Sequence, residues 1–187
     1  MKNIILYAVC VLMLGVPKAA FSYMDIVNDS ENGDAGGAAP YLKTGVGARA
    51  LAMGSAFVSV ADDATAGYWN PAGIALMKQA KVGAIYSKMS LDRTYNYVGA
   101  ALPRYNIGAG LIMTGVSDIP GYDARNYPTS EFNNTNMALL LSYAHTMTDG
   151  LSVGVNFKGI TSKLESASAK GFGLDFGAMA APLFARR

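Results

Sequence analysis

Short segments in which large apolar side chains alternate with small or polar ones constrain this chain most. Segment 151–158 places Leu151 and Phe157 on one face of a strand and Gly154 and Asn156 on the other. The same alternation recurs in segments 107–114, 136–144 and 171–178, and less regularly in segments 82–90 and 95–102. Because successive side chains of a strand point to opposite faces, the pattern predicts six strands. Each has about 9 to 11 residues, enough to cross a bilayer when tilted.

The composition of the second face separates two kinds of β protein. A soluble sheet usually presents polar and charged side chains to water, whereas this face consists largely of glycine, alanine, serine and asparagine. Only 15% of the residues are charged, below the roughly one quarter usual in soluble domains. We therefore predict an all-β fold: an antiparallel transmembrane β-barrel, partial with about six strands, whose N-terminal lumenal hatch contains short helices. A soluble periplasmic β-sandwich is the alternative.

The N-terminal residues have the features of an export signal. A lysine precedes an apolar run over residues 4–16, which is too short for a membrane-spanning helix, and Ala20 and Ser22 supply the small residues of a cleavage site. We predict a signal peptide over 1–22, with a short anchor helix as the alternative, and a flexible periplasmic lead over 23–44. No later apolar run reaches about 18 residues, so membrane crossing would use strands.

The most specific motif of the chain lies in a segment of small and apolar residues over 45–80. Its distinctive strings are Gly47-Ala48-Arg49-Ala50, Ala61-Asp62-Asp63-Ala64 and Tyr68-Trp69-Asn70-Pro71-Ala72-Gly73. Together they resemble the N-terminal signature of the PorV/PorQ family, a branch of the FadL-like outer-membrane barrels. The resemblance implies a barrel of about fourteen strands whose N-terminal segment folds into the lumen as a hatch. We accordingly expect a hatch over 45–80 and an incomplete set of barrel strands over 81–187.

The resemblance implies a non-enzymatic role at the bacterial outer membrane. FadL-like proteins carry hydrophobic compounds across that membrane, and PorV is a partner of the type IX secretion machinery that receives secreted cargo. The expected partners are outer-membrane lipid and either hydrophobic small molecules or secretion machinery and cargo proteins. We expect no cofactor and no metal. The net charge of +2 and the scattered basic residues argue against nucleic acid.

Two positions of the hatch have a local chemical rationale. Asn70 before Pro71 predicts an N-cap followed by a short helix, because asparagine accepts from free backbone N–H groups and proline tolerates the first helical turn. Arg49 is a charge in an apolar stretch, which burial would force into a pair. We hypothesise that it bonds a wall carboxylate or the Asp62-Asp63 turn; simple solvent exposure in a wet lumen is the alternative.

Three charged or polar residues are predicted to face the lumen: Asn156, Lys158 and Asp175. A cross-strand ion pair between Lys158 and Asp175 is favoured over a substrate contact. The single histidine, His145, lies at a strand end without a cluster of other ligands, so we expect it to be structural. A secreted enzyme using His145 with the two aspartates of the hatch is the weakest hypothesis.

Connection lengths predict the orientation of the strands. Short turns at 103–105 and 146–150 alternate with longer loops at 116–135 and 162–170. Bacterial outer-membrane barrels have short periplasmic turns and longer outer loops, so the short turns should lie in the periplasm. Six strands are too few to close a membrane barrel, for which about eight is the usual minimum. We therefore expect a partial gene product, with a barrel closed by several copies as the less favoured alternative.

Overall fold

Six β-strands form one antiparallel sheet in the computed structural model, which describes residues 39–123, 125–148, 150–165 and 167–180. The strands are β1 (Lys81–Lys88), β2 (Arg93–Leu102), β3 (Ile107–Ile119), β4 (Phe132–Thr148), β5 (Leu151–Leu164) and β6 (Ala167–Ala180). Each pairs with its neighbours in sequence, in the order β1 to β6. The predicted all-β antiparallel fold with six strands is confirmed. The predicted signal peptide lies outside the described residues.

Short helical turns precede the sheet. They are the 3-10 helices Pro40–Lys43, Ala56–Ser59 and Pro71–Leu76 and the α-helices Ala48–Ala52 and Ala66–Trp69. Residues 41–77, here called the helical layer, pack on one face of the sheet, with Pro71–Leu76 lying over β4, β5 and β6. Most of the flexible lead predicted over 23–44 lies outside the described residues; at its end, Tyr41 and Leu42 pack against the buried cluster under the layer. Its glycine-rich composition hides these two anchoring residues.

The two faces of the sheet differ as the alternation predicts. The face under the helical layer, called the inner face, buries small and medium side chains such as Ala138 and Leu140. The opposite, outer face exposes large apolar ones: Tyr86 is 73% exposed, and Phe172 and Phe176 are each 80% exposed. Water normally meets the polar face of an antiparallel sheet. In this sheet the polarity of the two faces is reversed.

Two buried clusters join the layer to the inner face. The first contains Phe57, Ala61, Ala66, Ala72 and Ile74 of the layer with Ala101, Ala144 and Met179 of the strands. The second joins Val46 to Tyr95, Tyr97, Ile112, Ala138 and Leu140. Alanine is the commonest residue of the first cluster, so the layer lies close to the strand backbones there. Within the described residues, no helix is both long enough and apolar enough to cross a membrane.

The lengths of the connections agree with the predicted alternation of short turns and longer loops except in one place. β2 and β3 are joined through the 3-10 helix Pro103–Tyr105, and residues 149–150 join β4 to β5. At the opposite end, residues 120–131 form the long loop between β3 and β4. The longer loop predicted between β5 and β6 is wrong, because only residues 165–166 separate these strands. The polar residues flanking this hairpin pair across it, as in Ser162 with Ala169, instead of forming a loop.

Candidate functional site

The Asn70-Pro71 corner is the centre of the contact between layer and sheet. Asn70 is extended (φ −157°, ψ 102°), as the following proline requires, and its Oδ1 accepts from the backbone N–H of Ala72 at 3.1 Å. Its Nδ2 donates to the carbonyl oxygens of Val58 at 3.0 Å and Ala178 at 3.1 Å. One buried side chain therefore caps the helix Pro71–Leu76, ties it to the preceding turn and attaches it to β6.

Two glycines make room for this corner. Gly154 of β5 and Gly177 of β6 are directly opposed in the sheet. A Cβ on Gly154 would lie 2.5 Å from the backbone nitrogen of Ala72, and one on Gly177 would overlap the Asn70 side chain. Only residues without a side chain allow the layer to approach the strands this closely. The small residues on the inner face are thus a docking surface for the motif that carries the family resemblance.

Three strand and layer hydroxyls add further attachments. Ser152 Oγ, fully buried in β5, donates to the carbonyl oxygen of Ala72 at 2.9 Å. Tyr97 of β2 donates to Ala64 O at 2.7 Å, and Tyr41 of the layer donates to Met137 O at 2.9 Å. None of these three residues is predicted from the sequence as a functional residue. The signal that could have found Ser152 and Tyr97 is their inner-face position in the alternation.

The remaining hatch-motif residues hold the layer together. The indole of Trp69 donates to Val46 O at 2.7 Å and meets the ring of Phe57 edge-on. Gly73 lies against the turn at Ala61, where a Cβ would come 2.9 Å from that alanine's Cβ. Gly47 has a φ of 97°, which favours glycine, and it precedes the helix that begins at Ala48.

Arg49 forms the hypothesised ion pair with Asp62 of the helical layer and not with a carboxylate of the strands. Arg49 Nη1 lies 2.5 Å from Asp62 Oδ1, and its guanidinium carbon lies 5.2 Å from the centroid of the Phe57 ring. The hydrogen bond that Arg49 donates to Asp62, together with the negative charge of Asp62, raises the pKa of Arg49. Asp63 serves a different purpose: its Oδ1 accepts from the N–H and hydroxyl of Thr65. The side chains of the pair are 54% and 49% exposed, so we expect its contribution to stability to be small.

The three residues predicted to face the lumen form one connected network on the inner face. Lys158 Nζ lies 2.8 Å from Asp175 Oδ2, and Asn156 Nδ2 donates to the same oxygen at 2.9 Å. Ser142 Oγ donates in turn to Asn156 Oδ1 at 2.9 Å. The network links β4, β5 and β6 beneath the layer, where Gly67 lies against Ser142. Its members are paired with one another, an arrangement that suits strand alignment.

The residues of the enzyme hypothesis are not brought together. His145 is exposed on the outer face of β4, whereas Asp62 and Asp63 belong to the layer on the inner face. In the described parts of the chain, no group of three His, Cys, Asp or Glu residues could hold a metal ion.

Comparison of the chain with protein-family models, with curated proteins and with solved structures finds no match. The geometry of the sheet and its layer is therefore what supports a function.

Proposed function

We propose that this chain is an outer-membrane β-barrel protein of the PorV/PorQ, FadL-like type, with no enzymatic activity. In this proposal the outer face of the sheet contacts lipid, the inner face lines a lumen, and the helical layer is the hatch that fills it. The cargo is a hydrophobic solute or a protein secreted by a type IX-like machinery, the two classes that the resemblance implies. An N-terminal export signal would deliver the chain to the bacterial outer membrane.

The reversed polarity of the sheet is the observation that carries the proposal. Large apolar side chains of the outer face are exposed on four consecutive strands, namely Met113, Met137, Leu139, Leu141, Tyr143, Phe157, Phe172, Leu174 and Phe176. Soluble monomers rarely expose contiguous apolar patches above a few hundred Å². In a membrane barrel, by contrast, alternate side chains of every strand face lipid. A lipid environment would therefore favour the exposed apolar outer face, whereas contact with water would be unfavourable.

The two edge strands of the sheet, β1 and β6, need further partner strands in a membrane. Among the described residues, β1 and β6 each pair with one neighbour. Unpaired backbone groups are costly in hydrocarbon, so a membrane-embedded sheet must be closed. About eight strands is the usual minimum for closure. Further strands on these two edges, from a longer chain or from other copies, are therefore part of the proposed membrane form.

The hydrogen bonds and close contacts between the helical layer and the strands support a hatch role for the layer. Asn70 and Ser152 bond the layer to the strands, and Gly154 and Gly177 bring it close to their backbones. A soluble β-sandwich, the alternative, would place a second sheet on this face. Among the described residues the partner of the inner face is helical. Cargo could pass only if these attachments were released or if the layer shifted along the wall.

The membrane assignment is tested by expressing the chain with its own N-terminus in a Gram-negative host and separating the membranes. We expect the mature chain in the outer-membrane fraction, floating with phosphatidylcholine vesicles after reconstitution and migrating faster in gels when unheated. Recovery in the soluble periplasm without any heat-dependent migration would refute the proposal and favour the soluble alternative.

The two cargo classes are separated by a second experiment on cells carrying or lacking the gene. Loss of uptake of hydrophobic solutes with unchanged secretion supports the solute role. Accumulation of secreted proteins in the periplasm with unchanged uptake supports the secretion role.

A further inference from the structure

A cavity at the short-turn end of the sheet lies outside the layer–sheet attachments. It has a volume of about 360 Å³, within the range of roughly 300–1,000 Å³ usual for small-molecule sites. Its walls come from the end of the helical layer and from the β2–β3 turn: Met77, Lys78, Leu102, Pro103, Arg104 and Tyr105. The cavity therefore combines an apolar lining with two cationic side chains.

The described residues place no acidic partner on the two cations of this cavity. Neither Lys78 nor Arg104 forms an ion pair with any residue that the structure describes. The stretches 77–81 and 102–107, which contain the lining, carry three basic residues and no Asp or Glu. Such a site attracts an anion.

One wall of the cavity adjoins the apolar outer face. Leu102 in its wall pairs with Ile107, which is exposed on that face, and the neighbouring Val82 of β1 is 78% exposed. Tyr105, also exposed, has the amphipathic character of side chains at membrane interfaces. A ligand whose anionic headgroup contacts Lys78 and Arg104 could thus extend an apolar tail along the outer face of β1 to β3. An inorganic anion would leave the apolar wall uncovered.

Given the proposed membrane function, we infer that this cavity binds the headgroup of an anionic phospholipid. Its phosphate would contact Lys78 and Arg104, and its acyl chains would lie on the outer face beside Ile107 and Val82. The short turns of outer-membrane barrels face the periplasm. The site would therefore select lipid from the periplasmic leaflet. Because Lys78 directly follows the helical layer, the bound lipid would also hold the end of the hatch at that membrane surface.

The test uses the full mature chain reconstituted into phosphatidylcholine vesicles, with trace spin-labelled phosphatidylglycerol or spin-labelled phosphatidylcholine. We expect the protein to immobilise phosphatidylglycerol in preference to phosphatidylcholine. The variants Lys78→Gln and Arg104→Gln should each lower that preference by up to about fivefold, since a cation near an anionic surface contributes about that factor. Lys163→Gln and Arg125→Gln, at the opposite end of the sheet, are matched controls and should leave it unchanged.

Each of the following outcomes overturns the inference. Equal immobilisation of both lipids by wild type, or an equal loss in the control variants, shows that the cavity does not select an anionic lipid. Displacement of phosphatidylglycerol by inorganic phosphate, but not by chloride at the same ionic strength, identifies a site for free phosphate instead. If the chain floats with the vesicles but shows no lipid preference, only the lipid site is refuted. If the chain does not float, the proposed membrane function and this inference are both refuted.

Discussion

Asn70 illustrates how much a single side chain can determine in this molecule. It caps one helix and donates two hydrogen bonds, one of them to β6. Replacement with alanine removes the cap and leaves the carbonyl groups of Val58 and Ala178 without this donor. We expect Asn70→Ala to lower the free energy of unfolding by about 3 kcal/mol, from a cap and two net hydrogen bonds. Urea unfolding in detergent micelles measures this, with exposed Gln79→Ala as control; equal midpoints would contradict it.

Two tyrosines of the layer give the fold a sensitivity to alkali. Burial raises the pKa of both Tyr41 and Tyr68, so the folded pKa lies above the unfolded value of about 10. Their contribution is complete below pH 10 and is lost as the pH rises through the folded pKa. We expect the double variant Tyr41→Phe/Tyr68→Phe to be less stable at neutral pH but to lose less stability between neutral and alkaline pH. Urea midpoints across that range, with exposed Tyr127→Phe as control, test this; parallel curves would contradict it.

At the scale of elements, the spacing between layer and strands is set by glycine. Gly154 lies under the Asn70-Pro71 corner, whereas a Cβ on Gly159, in the same strand, would meet nothing within 4 Å. Gly154→Ala should therefore destabilise the fold by about 1–3 kcal/mol through overpacking. Gly159→Ala should be neutral or slightly stabilising, because alanine restricts the unfolded chain. Unfolding midpoints in micelles distinguish the two, and equal effects would show that the layer does not rest on this glycine.

The sequence predicts the local part of this architecture better than the distant part. A period of two residues is a property of each strand, so the faces of Leu141 and Asn156 follow without knowledge of the partner strands. The Asn70-Pro71 cap is equally local. The bond from Asn70 to Ala178 is not predictable in this way, because every residue offers a similar carbonyl. The predicted loop between β5 and β6 is wrong because Ser162 and its polar neighbours have a loop-like composition although they lie in paired strands.

At the scale of the whole molecule, membrane and water make opposite demands on the outer face. Leu141, exposed at the middle of β4, would lie near the bilayer midplane, and Thr148 at the strand end near the interface. In lipid we expect Leu141→Arg to cost about 2–4 kcal/mol and Thr148→Arg about 0–1 kcal/mol. For a soluble sheet both changes would be tolerated and would improve solubility. Equilibrium folding into phosphatidylcholine vesicles measures the difference; equal costs would contradict lipid exposure.

The hydrogen bonds between the helical layer and the strands join residues that are far apart in the sequence, and this separation sets an order of assembly. Ala72 and Ser152 are 80 residues apart, and Asn70 and Ala178 are 108 apart. Contacts this remote form only after the intervening loop is closed, which makes them slow. During synthesis, Asn70 emerges from the ribosome long before its acceptor Ala178 in β6. The helical layer is thus synthesised first and docks last, and until β5 and β6 exist the side chain of Asn70 and the carbonyl group of Ala72 need other hydrogen-bond partners.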